Sequence, residues 1–248
     1  MLEIVLHGEP IAHIGTFPIT NTMVYSWFVT IFLVVIGFVV RTKTALVPNR
    51  FQGAVEGIIG GAYDFIADTL GSTKHATKFF GFIATLFFFI LMNNWLALLP
   101  LTSIGMYHAA ENGAQILVPF LRTTHSDLNN TLVLAVLAVV MIQFFGITTL
   151  GFFKYAHKFF VNPFKNPIGA FIGILELVSE IAKMISFSFR LFGNIFAGEV
   201  LLTIIAYLLP YGAPLPFMFL ELFVGLIQAV VFATLTLVFI KIATAEHH

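Results

Sequence analysis

The hydrophobic positions of this chain fall in five long runs, with few of the polar interruptions that give a soluble helix two faces. A membrane-spanning helix needs about 20 mostly apolar residues. The runs cover residues 23–40, 79–99, 131–153, 168–209 and 215–242. The last two are longer than one perpendicular crossing requires, so we expect them to be strongly tilted, broken or partly outside the lipid. The pattern predicts an all-α polytopic membrane protein, a single membrane domain with about five spanning helices.

Three other segments lie before or between these runs. Residues 1–22 are predicted to form an outer N-terminal segment, and residues 101–130 a long outer loop. Residues 51–70 mix four glycines and three acidic residues with apolar positions. This stretch is too polar to span a membrane, and we predict an amphipathic segment that lies at the interface.

Composition excludes several classes of protein. Of the 248 residues, 59% are hydrophobic and 10% are charged, and the mean hydropathy is +0.98. A soluble domain carries roughly 25% charged residues, so this chain cannot cover a water-soluble surface. Twelve basic residues balance twelve acidic ones, which leaves no basic face for nucleic acid. The absence of cysteine excludes disulfides, thiolate metal sites and a cysteine nucleophile.

Basic residues alternate between the connections and predict the orientation. The first 22 residues contain no Lys or Arg, whereas the connection after the first run holds five. The connection after the second run holds only Arg122, the next holds three, and the turn near residue 210 holds none. By the positive-inside rule, the N-terminus lies outside and the C-terminus in the cytoplasm. No basic segment precedes the first run, so we expect no signal peptide and a bacterial plasma (inner) membrane rather than an organellar one.

The most informative feature is a set of polar side chains inside the two longest runs. A charge near the bilayer centre costs at least about 2.5–3.5 kcal/mol, so such residues face protein or water and often mark a pathway. The first run contains Glu176, Glu180, Lys183, Arg190, Asn194 and Glu199, and the second contains Glu221 and Gln228. At about 100° per residue, the polar residues from 176 to 194 share one side of a helix, whereas Glu199 lies on the opposite side. Two separate polar environments are predicted, with Arg190 between them.

The two longest runs are expected to pair as an antiparallel helical hairpin. Glu199 and Glu221 are symmetric about a turn near residue 210, and the same turn relates Arg190 to Gln228. Two carboxylates in one low-dielectric site cannot both ionise cheaply, so one of them should hold a proton near neutral pH. The guanidinium of Arg190 stays charged. Directed proton transfer requires groups that pass a proton on and a fixed positive charge that blocks a direct path. The pair Glu199 and Glu221 could serve as the first, and Arg190 as the second.

Simpler roles stay open for the weaker members of this set. Asn194 or Gln228 alone could be an interhelical hydrogen-bonding residue. The inner group, which consists of Glu176, Glu180 and Lys183, could reach the inner water interface by snorkelling.

Residues near the outer ends of the runs have two interpretations as well. For Asp127 and Asn94, a solvated loop or a cap is at least as reasonable as a channel lining. None of the eight histidines lies deep in a run, which argues against a haem-binding cytochrome and an intramembrane metal site. No phosphate-binding loop or hydrolase motif occurs, so we expect no cofactor.

The sequence FRLFGNIFAGE, from Phe189 to Glu199, resembles the signature of subunit a of the F-type rotary ATP synthases. Further matches are Gln228, Asn94 with Leu99 and Pro100, and the segment from Ser126 to Thr131. The resemblance extends from about residue 20 to residue 243.

This resemblance implies two long, tilted helices against a ring of small hairpin subunits, each with one ion-binding carboxylate. Arg190 would face that carboxylate and keep two aqueous half-channels apart. The residues implied to border the outer half-channel or to surround the arginine are Asn194, Glu199, Glu221 and Gln228. Weaker matches are Asn94, Asp127 and Asn129 for the outer half-channel, and Glu176, Glu180 and Lys183 for the inner one.

The function implied by the resemblance is that of a proton-conducting stator subunit, which couples proton flow to ring rotation and ATP synthesis and is not an enzyme on its own. Its partners would be the ring of c-type subunits, peripheral-stalk b-type subunits, the lipid bilayer and, indirectly, the soluble catalytic sector. H+ is the expected coupling ion, ahead of Na+. The alternative is a self-contained secondary ion transporter, although this sequence lacks the internal repeats common in such proteins. An assembly subunit without transport would leave Arg190 unexplained.

Overall fold

The computed structural model describes residues 8–15, 17–44, 49–99, 105–109, 115–119, 121–159, 167–209 and 211–245. The helices of this part of the chain are α1 (Asn21–Thr42), α2 (Arg50–Leu70), α3 (Thr73–Ala97), α4 (Leu128–Leu150), α5 (Phe152–Phe159), α6 (Pro167–Leu208) and α7 (Pro214–Thr244). Two antiparallel β-hairpins pair β1 (Pro10–Ile14) with β2 (Phe17–Thr20) and β3 (Gly105–Ala109) with β4 (Gln115–Pro119). A 3₁₀ turn, Thr124–Ser126, leads into α4.

Five helices in the described ranges, α1, α3, α4, α6 and α7, are long and apolar enough to cross a membrane. The prediction of an all-α polytopic membrane protein is confirmed, and the hairpins add only short strands outside these helices. α6 is one unbroken helix of 42 residues, about 63 Å long at 1.5 Å per residue. Because a hydrocarbon core is about 30 Å thick, α6 must tilt or extend beyond that core.

Side-chain caps place two helix starts away from the predicted hydrophobic edges. α3 begins at Thr73, six residues before the predicted start, because Ser72 caps its first turn. α4 begins at Leu128 rather than at residue 131, because Asp127 is its N-cap. It ends before Gly151, whose φ of 87° stops the helix, so the two final residues of the predicted run belong to α5. Polar capping residues, which a hydropathy pattern ignores, account for these differences.

The prediction of one long loop over residues 101–130 is wrong in part, since this segment contains β3, β4, the 3₁₀ turn and the start of α4. The outer N-terminal segment also contains a hairpin, in which Gly15, at φ 65°, makes the turn between β1 and β2. Strands of four or five residues offer only two or three positions per face. Such short alternation is weak evidence against a loop.

α2 corresponds to the predicted interfacial segment. Its N-terminus is capped by Asn49, which accepts a hydrogen bond from the backbone N–H of Gln52 at 2.7 Å, and its C-cap is Gly71 at φ 68°. The helix packs against α3 and α7 and exposes Phe51 and Phe65. It is not among the helices apolar enough to span. Its position at the membrane interface stays a prediction.

The helices α3, α4 and α7 form the centre of the molecule, and α6 packs along α4. Aromatic contacts join the layers: the rings of Phe79 and Phe145 lie 4.8 Å apart, and those of Phe187 and Phe232 lie 4.7 Å apart. The second contact joins α6 to α7 in the antiparallel arrangement predicted for the hairpin. Large apolar side chains of α1 and α6 remain exposed, as expected for surfaces that face lipid or another subunit.

Candidate functional site

The ends of α3, α6 and α7 enclose a cavity of about 620 Å³ together with residues 121–123. We call it the carboxylate cavity, because Glu199 of α6 and Glu221 of α7 both line it. Its other polar lining residues are Asn94, Arg122, Thr123 and Thr203. The structure therefore brings together the two carboxylates that the hairpin symmetry pairs.

Arg122 places a guanidinium group beside the carboxylate of Glu199. Its Nε lies 3.5 Å from Glu199 Oε1 and donates a hydrogen bond to Ser126 Oγ at 3.1 Å. Arg122 is buried, whereas the side chain of Glu199 is 40% exposed. Glu221, by contrast, has no ion pair with any residue in the described ranges. The two carboxylates of the cavity thus have different electrostatic surroundings.

Glu221 packs against the backbone of α6 at Gly198. A Cβ atom added at Gly198 would overlap both carboxylate oxygens of Glu221. Because glycine has no side chain, the carboxylate can lie directly against the helix at this point. The contact sets the register between α6 and α7 near their connected ends.

A chain of hydrogen bonds runs from the 3₁₀ turn to α7 beside the cavity. His125 Nδ1 lies 2.8 Å from Asn94 Oδ1, and Asn94 Nδ2 donates to the backbone carbonyl of Gly225 at 3.1 Å. Trp95 Nε1 donates to the carbonyl of Leu222 at 3.0 Å. Two successive turns of α7 are thereby attached to the end of α3.

A second, open cavity of about 550 Å³ lies on the side of α6 that carries Arg190. We call it the arginine face, and its lining residues are Phe189, Arg190, Gly193, Asn194, Ala197, Val224, Ile227 and Gln228. Arg190 is exposed and makes no hydrogen bond or ion pair with the described part of the chain. Gln228 is 5% exposed, and its Nε2 has no hydrogen-bond partner among those residues. Arg190 and Gln228 share this surface, whereas Glu199 does not line it.

The inner group does not continue the open surface of Arg190. Glu180 is 8% exposed and pairs with Lys183 at 2.6 Å, and Lys183 Nζ lies 4.7 Å from the centre of the Phe239 ring. Glu176 instead pairs with Lys158 of α5 at 2.7 Å. Glu180 and Lys183 are therefore paired inside the protein, which is a different arrangement from snorkelling towards water.

The short helix α5 packs over the inner group. Its Tyr155 is buried, its ring occupies the space that a side chain at Gly146 would need, and its hydroxyl donates to Gln143 Oε1. Burial raises the pKa of Tyr155, and the nearby carboxylates of Glu180 and Glu176 raise it further. The phenol consequently stays protonated at neutral pH.

Asp127 and Asn129 line neither cavity. The Oδ1 of Asp127 accepts from the backbone N–H of Asn129 at 2.9 Å, which is the N-cap bond of α4. Its Oδ2 accepts from the backbone N–H of Gly8, the hydroxyl of Thr22 and the amide of Asn130, each at 3.2 Å. These are the contacts of a cap that also binds the N-terminal segment. The assignment of Asp127 and Asn129 to a half-channel stays a prediction that these contacts do not support.

A comparison with protein families identifies the group to which these features belong. A family model described as ATP synthase A chain matches residues 23–241, which include both cavities. The chain belongs to this family.

Individual relatives of the ATP synthase A chain family match nearly the whole chain. The chain is 35% identical over 235 residues to a protein of Propionigenium modestum named ATP synthase subunit a, sodium ion specific, an alignment that covers 93% of this chain and 77% of that one. It is 31% identical over 239 residues to ATP synthase subunit a of Moorella thermoacetica, covering 94% and 96% of the two chains. It is 36% identical over 227 residues to the subunit a of Desulfotalea psychrophila, covering 91% and 84%.

As a member of this family, the chain is an ion-translocating stator subunit of the membrane sector of an ATP synthase. It is not catalytic on its own. A self-contained secondary transporter is not favoured.

Two residues beside the carboxylate cavity, Arg122 and His125, could not be identified as site residues from the sequence alone. Arg122 is noticeable only as the single basic residue of its connection, and His125 only as one of several histidines outside the apolar runs. The available signal is a dense polar stretch, from Arg122 to Asp127, directly before an apolar run. His125 is 1% exposed, and burial lowers its pKa to about 3, so the imidazole is neutral at physiological pH.

Proposed function

We propose that the carboxylate cavity and the arginine face are successive parts of one proton route, which leads from the outside to a ring of c-type subunits. The observation that carries the proposal is the placement of two polar sites on different sides of α6, one of which holds an exposed Arg190 that no described side chain neutralises. A charge held within a membrane requires an opposite charge or water. The ion-binding carboxylate of a ring subunit is a partner that meets this requirement.

α7 connects the two sites. Glu221 and Gln228 are seven residues apart, so they lie on one face of the helix about 10.5 Å apart along its axis. A proton that enters the carboxylate cavity is exchanged between Glu199 and Glu221, and it then moves along this face past Asn194 to the ring carboxylate. Protonation neutralises the ring site, which can then turn towards lipid.

We assign the exit to the inner group on the strength of the resemblance, since its paired Glu180 and Lys183 do not continue the open surface of Arg190. After nearly a full turn, the ring site approaches Arg190 again, and the positive charge favours the ionised form of the ring carboxylate. The released proton leaves past Glu176, Glu180 and Lys183. Arg190 also acts as a barrier, because a fixed positive charge in a low-dielectric region opposes direct passage of a proton between the two half-channels.

We propose H+ as the coupling ion, although the relative from Propionigenium modestum is named as sodium ion specific. In the carboxylate cavity, the guanidinium of Arg122 lies 3.5 Å from Glu199 and already balances its charge. A bare Na+ at the same carboxylate would be repelled by this neighbouring cation. The same guanidinium opposes a proton on Glu199, so the proton is taken up by Glu221, which has no ion pair among the described residues.

The proposed partners are the c-type ring, peripheral-stalk b-type subunits, the lipid bilayer and, indirectly, the soluble catalytic sector. Small exposed residues near Arg190, namely Ser186, Gly193 and Ala197, provide a surface past which ring helices can move. The distribution of Lys and Arg supports an N-terminus outside and a C-terminus in the cytoplasm, and a bacterial inner membrane is the proposed location.

The test is Arg190→Ala in inverted membrane vesicles that contain the whole complex, with Arg41→Ala, at the exposed end of α1, as the control. We expect Arg190→Ala to abolish ATP-driven acidification while the complex still assembles. After the catalytic sector is stripped, passive proton conductance should be retained or raised, because the barrier is gone. Normal pumping by Arg190→Ala would contradict the proposed route.

A further inference from the structure

His125 is a buried polar residue that the proposed route does not use. It lies in the 3₁₀ turn, is 1% exposed, and has Phe89 as its aromatic neighbour at 6.3 Å between ring centres. Its Nδ1 bonds to Asn94, whereas its Nε2 is buried with no hydrogen-bond partner among the described residues. Burying a polar ring costs desolvation free energy, which is offset only where a ring nitrogen makes a hydrogen bond.

The hydrogen-bond partners determine which tautomer is present. A backbone carbonyl only accepts hydrogen bonds, so the carbonyl of Gly225 must receive the amide NH₂ of Asn94. The oxygen of the Asn94 amide therefore faces the imidazole, and it also only accepts. His125 Nδ1 must then carry the hydrogen, which leaves a lone pair on Nε2.

This arrangement is poorly suited to proton relay. A relay through the ring would have to deliver its proton from Nδ1 to an amide oxygen, which is a very weak base. The same bond is well suited to holding the Asn94 side chain in one orientation, with its NH₂ group directed at α7.

The orientation of Asn94 matters because α3 and α7 touch at this point. A Cβ atom added at Gly225 would lie 2.9 Å from Asn94 Cβ, so the two helices are already in close contact. Gly225 is one helical turn after Glu221, on the same face of α7. A bond that holds Gly225 therefore also holds Glu221 in its position against Gly198.

We propose that His125 is a positioning residue of the carboxylate cavity, which orients Asn94 and through it holds the register of α7 without carrying protons itself. The inference rests on the proposed function in so far as the cavity is part of the ion route. The positioning itself is a statement about geometry and can be measured separately.

Two substitutions separate the two ring nitrogens. Asn places its amide nitrogen where His has Nδ1, two bonds from Cβ, so His125→Asn retains the donor to Asn94 and removes Nε2. Gln reaches further and approximates Nε2 instead, so His125→Gln misplaces the donor. His125→Leu removes both nitrogens, and His157→Leu, at an exposed position of α5, is the matched control.

Each variant is examined in vesicles with the assembled complex, in a background that carries Met218→Cys. The chain has no cysteine, and Met218 lines the cavity on α7, so the rate of its labelling by a small maleimide reports the position of that helix. Passive proton conductance of stripped vesicles is the second readout. We expect His125→Gln and His125→Leu to change the labelling rate and to lower conductance about tenfold, the order expected when a buried polar partner is lost. His125→Asn and His157→Leu should stay within about twofold of the unchanged chain.

The outcomes distinguish the alternatives. If His125→Asn behaves like His125→Leu, Nε2 or the ring itself is required and the positioning role is refuted. Unchanged labelling in all three variants refutes it as well. If labelling changes as expected while conductance does not, His125 positions the cavity but the cavity is not the ion route, so the proposed function fails and the positioning role stands. Should His125→Leu fail to assemble, His125→Gln still provides the comparison with His125→Asn.

Discussion

The contact between Gly198 and Glu221 allows a sharp prediction for Gly198→Ala. A Cβ atom at this position would overlap the Glu221 carboxylate, which would have to move by about 1 Å to reach ordinary van der Waals contact. Misplacing a functional group by about 1 Å can cost about 100-fold in rate. Alanine favours a helix over glycine by about 1 kcal/mol, which offsets part of the overpacking cost of about 1–3 kcal/mol. We therefore expect an assembled subunit whose ion route is obstructed.

The assay is passive proton conductance of stripped vesicles, together with ATP-driven acidification before stripping. Gly198→Ala should lower conductance by about 100-fold, while the amount of subunit in the complex stays near normal. Gly81→Ala is the matched control, since a Cβ atom at this α3 glycine meets no atom within 4 Å. Undiminished conductance in an assembled Gly198→Ala complex would refute the argument that Glu221 must lie against α6 for protons to pass.

Two further predictions concern stability. Lys183→Met leaves Glu180 buried without its partner, which should cost about 3–5 kcal/mol and reduce the amount of subunit retained in the complex after heating. Adding Glu180→Gln removes the unpaired charge and should restore retention, and a double variant that shows no recovery would contradict a stabilising ion pair between Glu180 and Lys183. Burial lowers the pKa of His125 from 6.5 to about 3, so the neutral imidazole stabilises the folded state in full above pH 6.5. As the pH falls from 6.5 towards 3, the free energy of unfolding decreases by about 1.4 kcal/mol per pH unit. His125→Asn should therefore lessen the drop in melting temperature between pH 7 and pH 5, and an equal drop in both proteins would contradict the buried neutral imidazole.

The arrangement of the two long helices could be predicted because it follows from regular geometry. Once residue 210 is taken as the turn, the symmetric pairs Glu199–Glu221 and Arg190–Gln228 follow from position alone. Helical periodicity likewise places Glu199 away from the side of Arg190. The structure groups these residues in the carboxylate cavity and the arginine face accordingly.

Contacts made by the connections could not be predicted in the same way. Arg122 reaches Glu199 and His125 reaches Asn94 through the fold of an irregular segment, for which no periodic rule relates sequence to position. Asp127 is a further example, since its bonds to Gly8 and Thr22 join segments more than 100 residues apart. For the inner group, helical periodicity predicted the side of α6 on which its residues lie. It could not predict that the Lys183 side chain would contact Glu180 and the Phe239 ring, because periodicity does not determine side-chain contacts.

The two arginines of the site illustrate how the chain depends on its complex. Arg122 is buried, and a carboxylate of the same chain lies beside it, so the cost of its burial is offset within the subunit. Arg190 has no such partner among the described residues, although a charge near the bilayer centre costs at least about 2.5–3.5 kcal/mol. In the proposed assembly, the ring carboxylate removes this cost each time a ring site reaches Arg190. The charge that is unfavourable for the isolated subunit is therefore the one that attracts the ionised ring site, and the same interaction supports both assembly and proton release.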